Sequence, residues 1–217
     1  MDWTLLSDVP DDVRRRVLAA ARLRRFARGE VVFHEGDPGD TLHLISKGRV
    51  AVRTTTPLGD TATLAILGVG DFFGELALVS PGSSRSTSVA ALEKTETFAV
   101  GREDFEELQR EHPSVGRFLS AILAAQIRRL TGQVLDALYV GADQRVLRRL
   151  VEVAKIYGSD GDAAIPLTQE DLATLAGTSR ATVNRVLGEV QTEGIITVGR
   201  MLIRVLDGEK LARRAGR

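Results

Sequence analysis

The sequence predicts an α+β protein: a glycine-punctuated β-sandwich or small barrel, a long helix, and a C-terminal winged helix-turn-helix. Three observations carry that prediction. Nine of the 21 glycines fall between residues 29 and 100, where they separate short β-type runs. Many short strands at 8–12-residue spacing are the pattern of a sandwich or barrel. Leu123, Ile127, Leu130, Val134 and Ala137 then repeat at intervals of 4, 3, 4 and 3, the seam of one helix packing along another. Finally, residues 167–205, LTQEDLATLAGTSRATVNRVLGEVQTEGIITVGRMLIRV, hold two short helical patterns around Gly177 and a hairpin pattern after them.

Along the chain, Asp11–Arg22 reads as a short amphipathic helix. The runs EVVFH, TLHLIS, RVAVRT, ATLAIL, TSVAAL and ETFAV follow as strands, each β-branched or aromatic and bounded by turn residues. Asp104–Glu111 is a short helix, and Pro113 opens a long one to about Val140. Following a compact barrel, that helix has little of its own chain to bury against, so its seam predicts a partner helix and a homodimer. Gly141-Ala142 breaks the period and forms a plausible hinge. Asp143 is the expected N-cap of a helix over Gln144–Tyr157, and Gly158–Asp162 a polar loop. Thr168 with Asp171 forms a capping-box start to the next helix, which runs to Ala176. Ser179 caps the second short helix, with Val183, Val186, Leu187 and Val190 on its apolar face; Ile195–Gly199 and Met201–Val205 form the wing. The domain divisions are 1–112, 113–142 for the long helix and hinge, and 143–217.

Composition narrows the function. Apolar residues make up 43% and charged ones 27%, as in ordinary globular proteins. No run of about 18 apolar residues predicts a membrane span. The acidic start, MDWTLLSDVPDD, lacks a signal core, so a cytoplasmic protein is expected. The absence of cysteine excludes disulfides, thiolate catalysis and Cys-ligated zinc or iron–sulfur clusters. Net charge is zero, which argues against indiscriminate coating of nucleic acid; residues 143–217 nevertheless carry 12 Lys+Arg against 10 Asp+Glu, a net of +2.

Two segments carry chemistry. GDFFGELALVSPGSSRSTSV (residues 70–89) gathers a carboxylate, an arginine and several hydroxyls around a glycine-rich bend. One reading is a salt bridge between Glu75 and Arg85 beside a turn; the other is an anion cradle, since an arginine offers a planar fork of donors to phosphate oxygens. In the second segment, the start of the second short helix carries Ser179, Arg180, Thr182, Asn184 and Arg185, side chains suited to base edges and phosphates in a major groove. A metal-dependent cupin-like enzyme is the rival reading for the barrel: His34 and His43 bracket HEGDPGDTLH, but such sites need three or four convergent ligands, and the remaining histidine, His112, lies far along the chain. A haem-based gas sensor, which needs an axial ligand, is a further rival.

GELALVSPGSSRS (74–86) and TQEDLATLAGTSRATVNRVL (168–187), in that order and about 80 residues apart, resemble the CRP/FNR family of bacterial transcription regulators. The resemblance covers nearly the whole chain. It implies a jelly-roll cyclic-nucleotide-binding barrel, a dimerisation helix and a winged helix-turn-helix bound to palindromic double-stranded DNA, with RNA polymerase as a further partner, and neither catalysis nor metal. It implies a ligand cradle of Gly74, Glu75, Leu76, Arg85, Ser86 and Thr87, in which Glu75 accepts from a ribose 2′-hydroxyl and Arg85 meets the cyclic phosphate. Thr168, Gln169, Ser179, Arg180, Thr182, Asn184 and Arg185 are the implied DNA-facing set. Two positions depart from the family pattern. Where members that respond to cyclic AMP carry a Thr-Ser or Thr-Asn pair on the long helix, this chain has Leu130-Thr131, of which Thr131 alone can hydrogen-bond a base. Cyclic AMP thus stays the first ligand expected, beside cyclic GMP and a regulator needing no ligand. Ala181 stands where relatives often carry Glu, which predicts an operator relaxed at one base pair per half-site.

Overall fold

The computed structural model describes residues 10–56, 59–80, 82–158 and 163–216. The acidic start before Pro10, Pro81 of the glycine-rich bend and most of the polar loop at 158–162 lie outside the described residues. The chain divides into two compact units, one of Met1–Thr54 with Ile66–Thr131, the other of Thr55–Ala65 with Gly132–Arg217.

In chain order, α1 (Asp11–Ala20) leads into β1 (Arg22–Phe26), β2 (Val31–Phe33), β3 (Thr41–Lys47), β4 (Val50–Thr55), β5 (Thr61–Leu67), most of which falls in the second unit, and β6 (Phe72–Phe73). A single turn, α2 (Leu76–Val79), precedes β7 (Ser88–Ala91) and β8 (Thr95–Gly101). The strands form two four-stranded sheets, ordered β1-β8-β3-β6 and β2-β7-β4-β5, so the barrel is an open jelly-roll sandwich. The helix expected over Asp11–Arg22 stops at Ala20, and Arg22–Phe26 pairs along β8 instead. RLRRF buries only Phe26, so this edge strand carries almost no apolar alternation to betray it.

Leu42, His43, Leu44 and Ile45 of β3 are all buried. A strand covered on both faces loses the alternation of a half-buried one. Leu42 and Leu44 join a core with Val13 and Val17 of α1, Phe105 of α3 (Arg102–Glu111), and Phe118, Ile122 and Ala125 of α4 (Gly116–Tyr139). His43 instead meets the rings of Phe26, Phe33 and Phe73. Pro113–Val115 is a 3₁₀ turn, so α4 starts three residues after the proline expected to open it.

Along α4 the buried stripe gives way to an exposed apolar one. Leu123 is half-buried, Ile127 64% exposed, Leu130 47% and Val134 55%; Ala137 is also exposed, and Leu135, Leu138 and Tyr139 widen the strip.

In the second unit, α5 (Ala142–Tyr157) begins two residues earlier than an Asp143 cap predicts. Gly141 takes the N-cap position with extended backbone, and Asp143 falls in the first turn. Helices α6 (Gln169–Ala176) and α7 (Arg180–Thr192) follow, then β10 (Ile196–Gly199) and β11 (Leu202–Val205), with β9 (Ala164–Ile165) completing a small sheet and α8 (Gly208–Arg214) ending the chain. The Thr168–Asp171 capping box is fully formed. Gly177 adopts φ 58°, the left-handed turn for which glycine is suited, and Ser179 accepts from the Thr182 amide.

Candidate functional site

The 74–87 segment is shaped from both sides. Gly74 sits at φ 78°, and a Cβ there would stand 2.7 Å from Arg85 Nη1 and 2.8 Å from the Thr41 carbonyl. Glycine is therefore needed twice, for its backbone angle and for the close approach of the guanidinium. Opposite, the loop at 36–39 is laced to Arg85: its amide donates to the Asp37 carbonyl at 2.7 Å, its carbonyl accepts from Gly36 at 2.9 Å, and Gly39 donates to Ser83 at 3.0 Å. Arg102, at the start of α3, donates to the carbonyls of Ala77 and Gly39, fastening α2 to the same loop.

The Arg85 side chain is only 7% exposed. Its Nη1 donates to the Thr41 carbonyl at 2.8 Å and more loosely to Gly74 at 3.4 Å, while Nη2 donates to Thr41 Oγ1 at 2.7 Å. The Phe33 ring lies 4.1 Å from Arg85 Cζ, a cation–π contact. Its nearest carboxylate is the exposed Asp40, at 3.6 Å. Burial pulls the Arg85 pKa below its ordinary value, opposed chiefly by Asp40 and Asp37. Nε is buried with no partner among the described residues. An unsatisfied N–H on a buried cation is costly; an acceptor oxygen relieves it, and an anionic one does so most strongly.

Glu75 is 9% exposed, and no ion pair joins it to Arg85 among the described residues, which removes the salt-bridge reading of the bend. Leu76 and Ser86 are exposed and Thr87 half-buried along the same segment, while Thr131 is exposed on α4. Neither histidine of HEGDPGDTLH joins a cluster of three or more candidate metal ligands among the described residues. Burial, with the Arg85 charge next, lowers the His43 pKa to about 3 and keeps the imidazole neutral.

In the second unit, the opening of α7 leaves Arg180, Ala181, Asn184 and Arg185 exposed, and Thr182 half-buried, while Val183, Val186, Leu187 and Val190 face inward. Thr168 and Gln169, half-buried at the start of α6, stand at the other helix N-terminus. Arg185 is held between two carboxylates, Asp143 on Nη2 and Glu189 on Nη1.

Residues 23–112 match the cyclic nucleotide-binding domain family and residues 144–214 the Crp-like helix-turn-helix domain family. A CRP-like cAMP-activated global transcriptional regulator of Mycobacterium tuberculosis is 33% identical over 194 residues, 88% of this chain and 86% of that protein. The chain belongs to the CRP/FNR family. The cyclic AMP receptor protein of Thermus thermophilus is 36% identical over 176 residues, covering 81% and 80% of the two chains. The solved Thermus thermophilus catabolite activator protein matches with TM-score 0.54 at 32% identity over 98% of each chain.

Within this CRP/FNR chain, local sequence located the bend but missed what surrounds its arginine. Thr41, Phe33 and Arg102 lie 44, 52 and 17 residues from Arg85 and reach it or its loop only through strand pairing and helix packing. The glycine at 39, with the Ser83 carbonyl 3.1 Å from an added Cβ, was the one signal pointing to a close approach there.

Proposed function

We propose that this CRP/FNR regulator works as a homodimer in the cytoplasm, that its sandwich takes a cyclic nucleotide, cyclic AMP first, and that α7 then reads a palindromic operator. The observation that carries the ligand half is the buried Arg85, packed against Gly74, with its Nε unpartnered among the described residues. A cyclic phosphate supplies the missing acceptor. Glu75 is the acceptor-only group for the ribose 2′-hydroxyl, Ser86 and Thr87 add hydroxyls at the phosphate, and Thr131 is the base contact from α4.

The DNA half rests on the exposed start of α7. Arg180 and Arg185 meet bases, Asn184 adds an amide, and Thr168, Gln169, Ser179 and Thr182 approach phosphates. Residues 1–112 sense, 113–142 dimerise through Leu123, Ile127, Leu130, Val134 and Ala137 and provide the hinge, and 143–217 bind DNA. RNA polymerase is the downstream partner, and no catalytic step is assigned.

Isothermal titration with cyclic AMP and cyclic GMP, beside Arg85→Ala, tests the ligand. Micromolar or tighter binding lost in the variant supports the cassette. A second reading, DNA binding without ligand, is favoured by Leu130, an apolar side chain where a base contact would stand. A shift of palindromic DNA by nucleotide-free protein, with no heat from either nucleotide, would decide for it.

A further inference from the structure

An arginine has five N–H donors arranged on two usable edges, one formed by Nη1 and Nη2 and the other by Nε and Nη2. Thr41 occupies the first edge completely: its carbonyl takes Nη1 at 2.8 Å and its hydroxyl takes Nη2 at 2.7 Å. Phe33 covers one face of the guanidinium. What remains unpartnered among the described residues is Nε, on the second edge. Thr41 therefore does more than fill a strand position, because it selects which edge of Arg85 is left for a ligand.

The hydroxyl of Thr41 is itself braced. It lies 3.3 Å from His43 Nε2 and 3.2 Å from Asp40 Oδ1, and His43 Nδ1 lies 3.0 Å from Thr97 Oγ1 on β8. The His43 ring stacks flat on Phe73, with centroids 4.9 Å apart and planes at 2°. A path of polar contacts, part-buried at Thr41 and buried beyond His43, thus runs from Arg85 through Thr41 and His43 into the middle of the β1-β8-β3-β6 sheet. The stack limits the ring's rotation, and its neutrality spares the site a second cation beside the guanidinium.

We propose that Thr41, braced by His43, is the positioning residue for Arg85, holding the Nη1/Nη2 edge so that Nε–H and the outer N–H of Nη2 are presented together to the phosphate. This rests on the cassette reading above. Asp40 stands near the same Nη2, but it is largely exposed and at 3.6 Å is the weaker competitor. Without the Thr41 hydroxyl, Nη2 is free to turn to Asp40 and the paired edge is lost.

Isothermal titration of the purified chain with cyclic AMP and cyclic GMP, using Thr41→Val, Thr41→Ser, His43→Phe and Arg85→Ala, tests it, with thermal unfolding of each variant recorded. Thr41→Val is isosteric and is expected to weaken nucleotide binding by about tenfold or more, the scale of a lost hydrogen bond to a charged group. Thr41→Ser keeps the hydroxyl and is expected to stay within about threefold of the parent. His43→Phe keeps the ring stack and is expected to weaken binding in the same direction as Thr41→Val. Parental affinity in Thr41→Val, while Arg85→Ala binds nothing, overturns the positioning role and leaves the cassette standing. A Thr41→Ser variant as weak as Thr41→Val also overturns it, since packing and not the hydroxyl would then matter. Parental affinity in Arg85→Ala, or no binding by the parent chain, overturns the cassette reading and this inference with it.

Discussion

Gly74 and Arg85 share one piece of space, and that makes the glycine testable. An added methyl would meet both Nη1 and the Thr41 carbonyl at under 3 Å, and the backbone angle of 78° penalises any L side chain. Gly74→Ala is therefore expected to displace Arg85 and abolish nucleotide binding in titration, while circular dichroism shows the sandwich intact. His43 gives a second test. Its folded pKa, about 3, lies below the unfolded value of 6.5, so the unfolded chain binds the extra proton between those limits. Stability is fully present above about pH 6.5 and falls as the pH drops toward 3, by up to about 1.4 kcal/mol per pH unit. His43→Phe removes this contribution, so denaturant melts at pH 7 and pH 5 should converge relative to the parent. The sequence offered His43 only as half of a failed metal pair. Its environment comes from four strands that no local pattern brings together.

At the scale of elements, legibility followed periodicity and capping chemistry. The two helices of the helix-turn-helix were readable because Thr168, Asp171, Gly177 and Ser179 each do a local job that residue type alone declares. The six β-type runs were readable for the same reason, while β1 and the two-residue β6 were hidden, one by its arginines and one by its length. Asp143 misled because an aspartate before a helical pattern usually caps it; here Gly141 has already begun the turn and the carboxylate reaches Arg185. The Ser179 cap predicts that Ser179→Ala costs about 1 kcal/mol of stability, read from urea melts. Arg180, exposed on the next residue, carries no such structural duty. Arg180→Ala is expected to leave the melt unchanged and to weaken operator binding by about 1–3 kcal/mol in a fluorescence anisotropy titration. A variant that binds as tightly as the parent would remove α7 from the groove.

Over the whole molecule, the apolar strip on α4 leaves a burial unanswered among the described residues. Ile127, Leu130 and Val134 are each about half exposed or more, beside Leu138 at 68% and Tyr139 at 80%. Single exposed apolar residues are ordinary, but a continuous strip along one helix marks an interface. If α4 carries the proposed homodimer seam, Ile127→Asp yields a monomer in analytical ultracentrifugation and costs operator affinity far more than nucleotide affinity; a variant that sediments as the parent does removes the seam from α4. Where α4 ends, Arg145 of α5 donates to the carbonyl of Val140, just past that helix, and to those of Ala176 and Gly177, which close α6. A guanidinium so placed behaves as a mechanical pin. It ties the chain just past the long helix to the turn of the DNA-reading motif through three nitrogens at once, and Arg145→Lys, with one nitrogen in their place, is expected to loosen that tie.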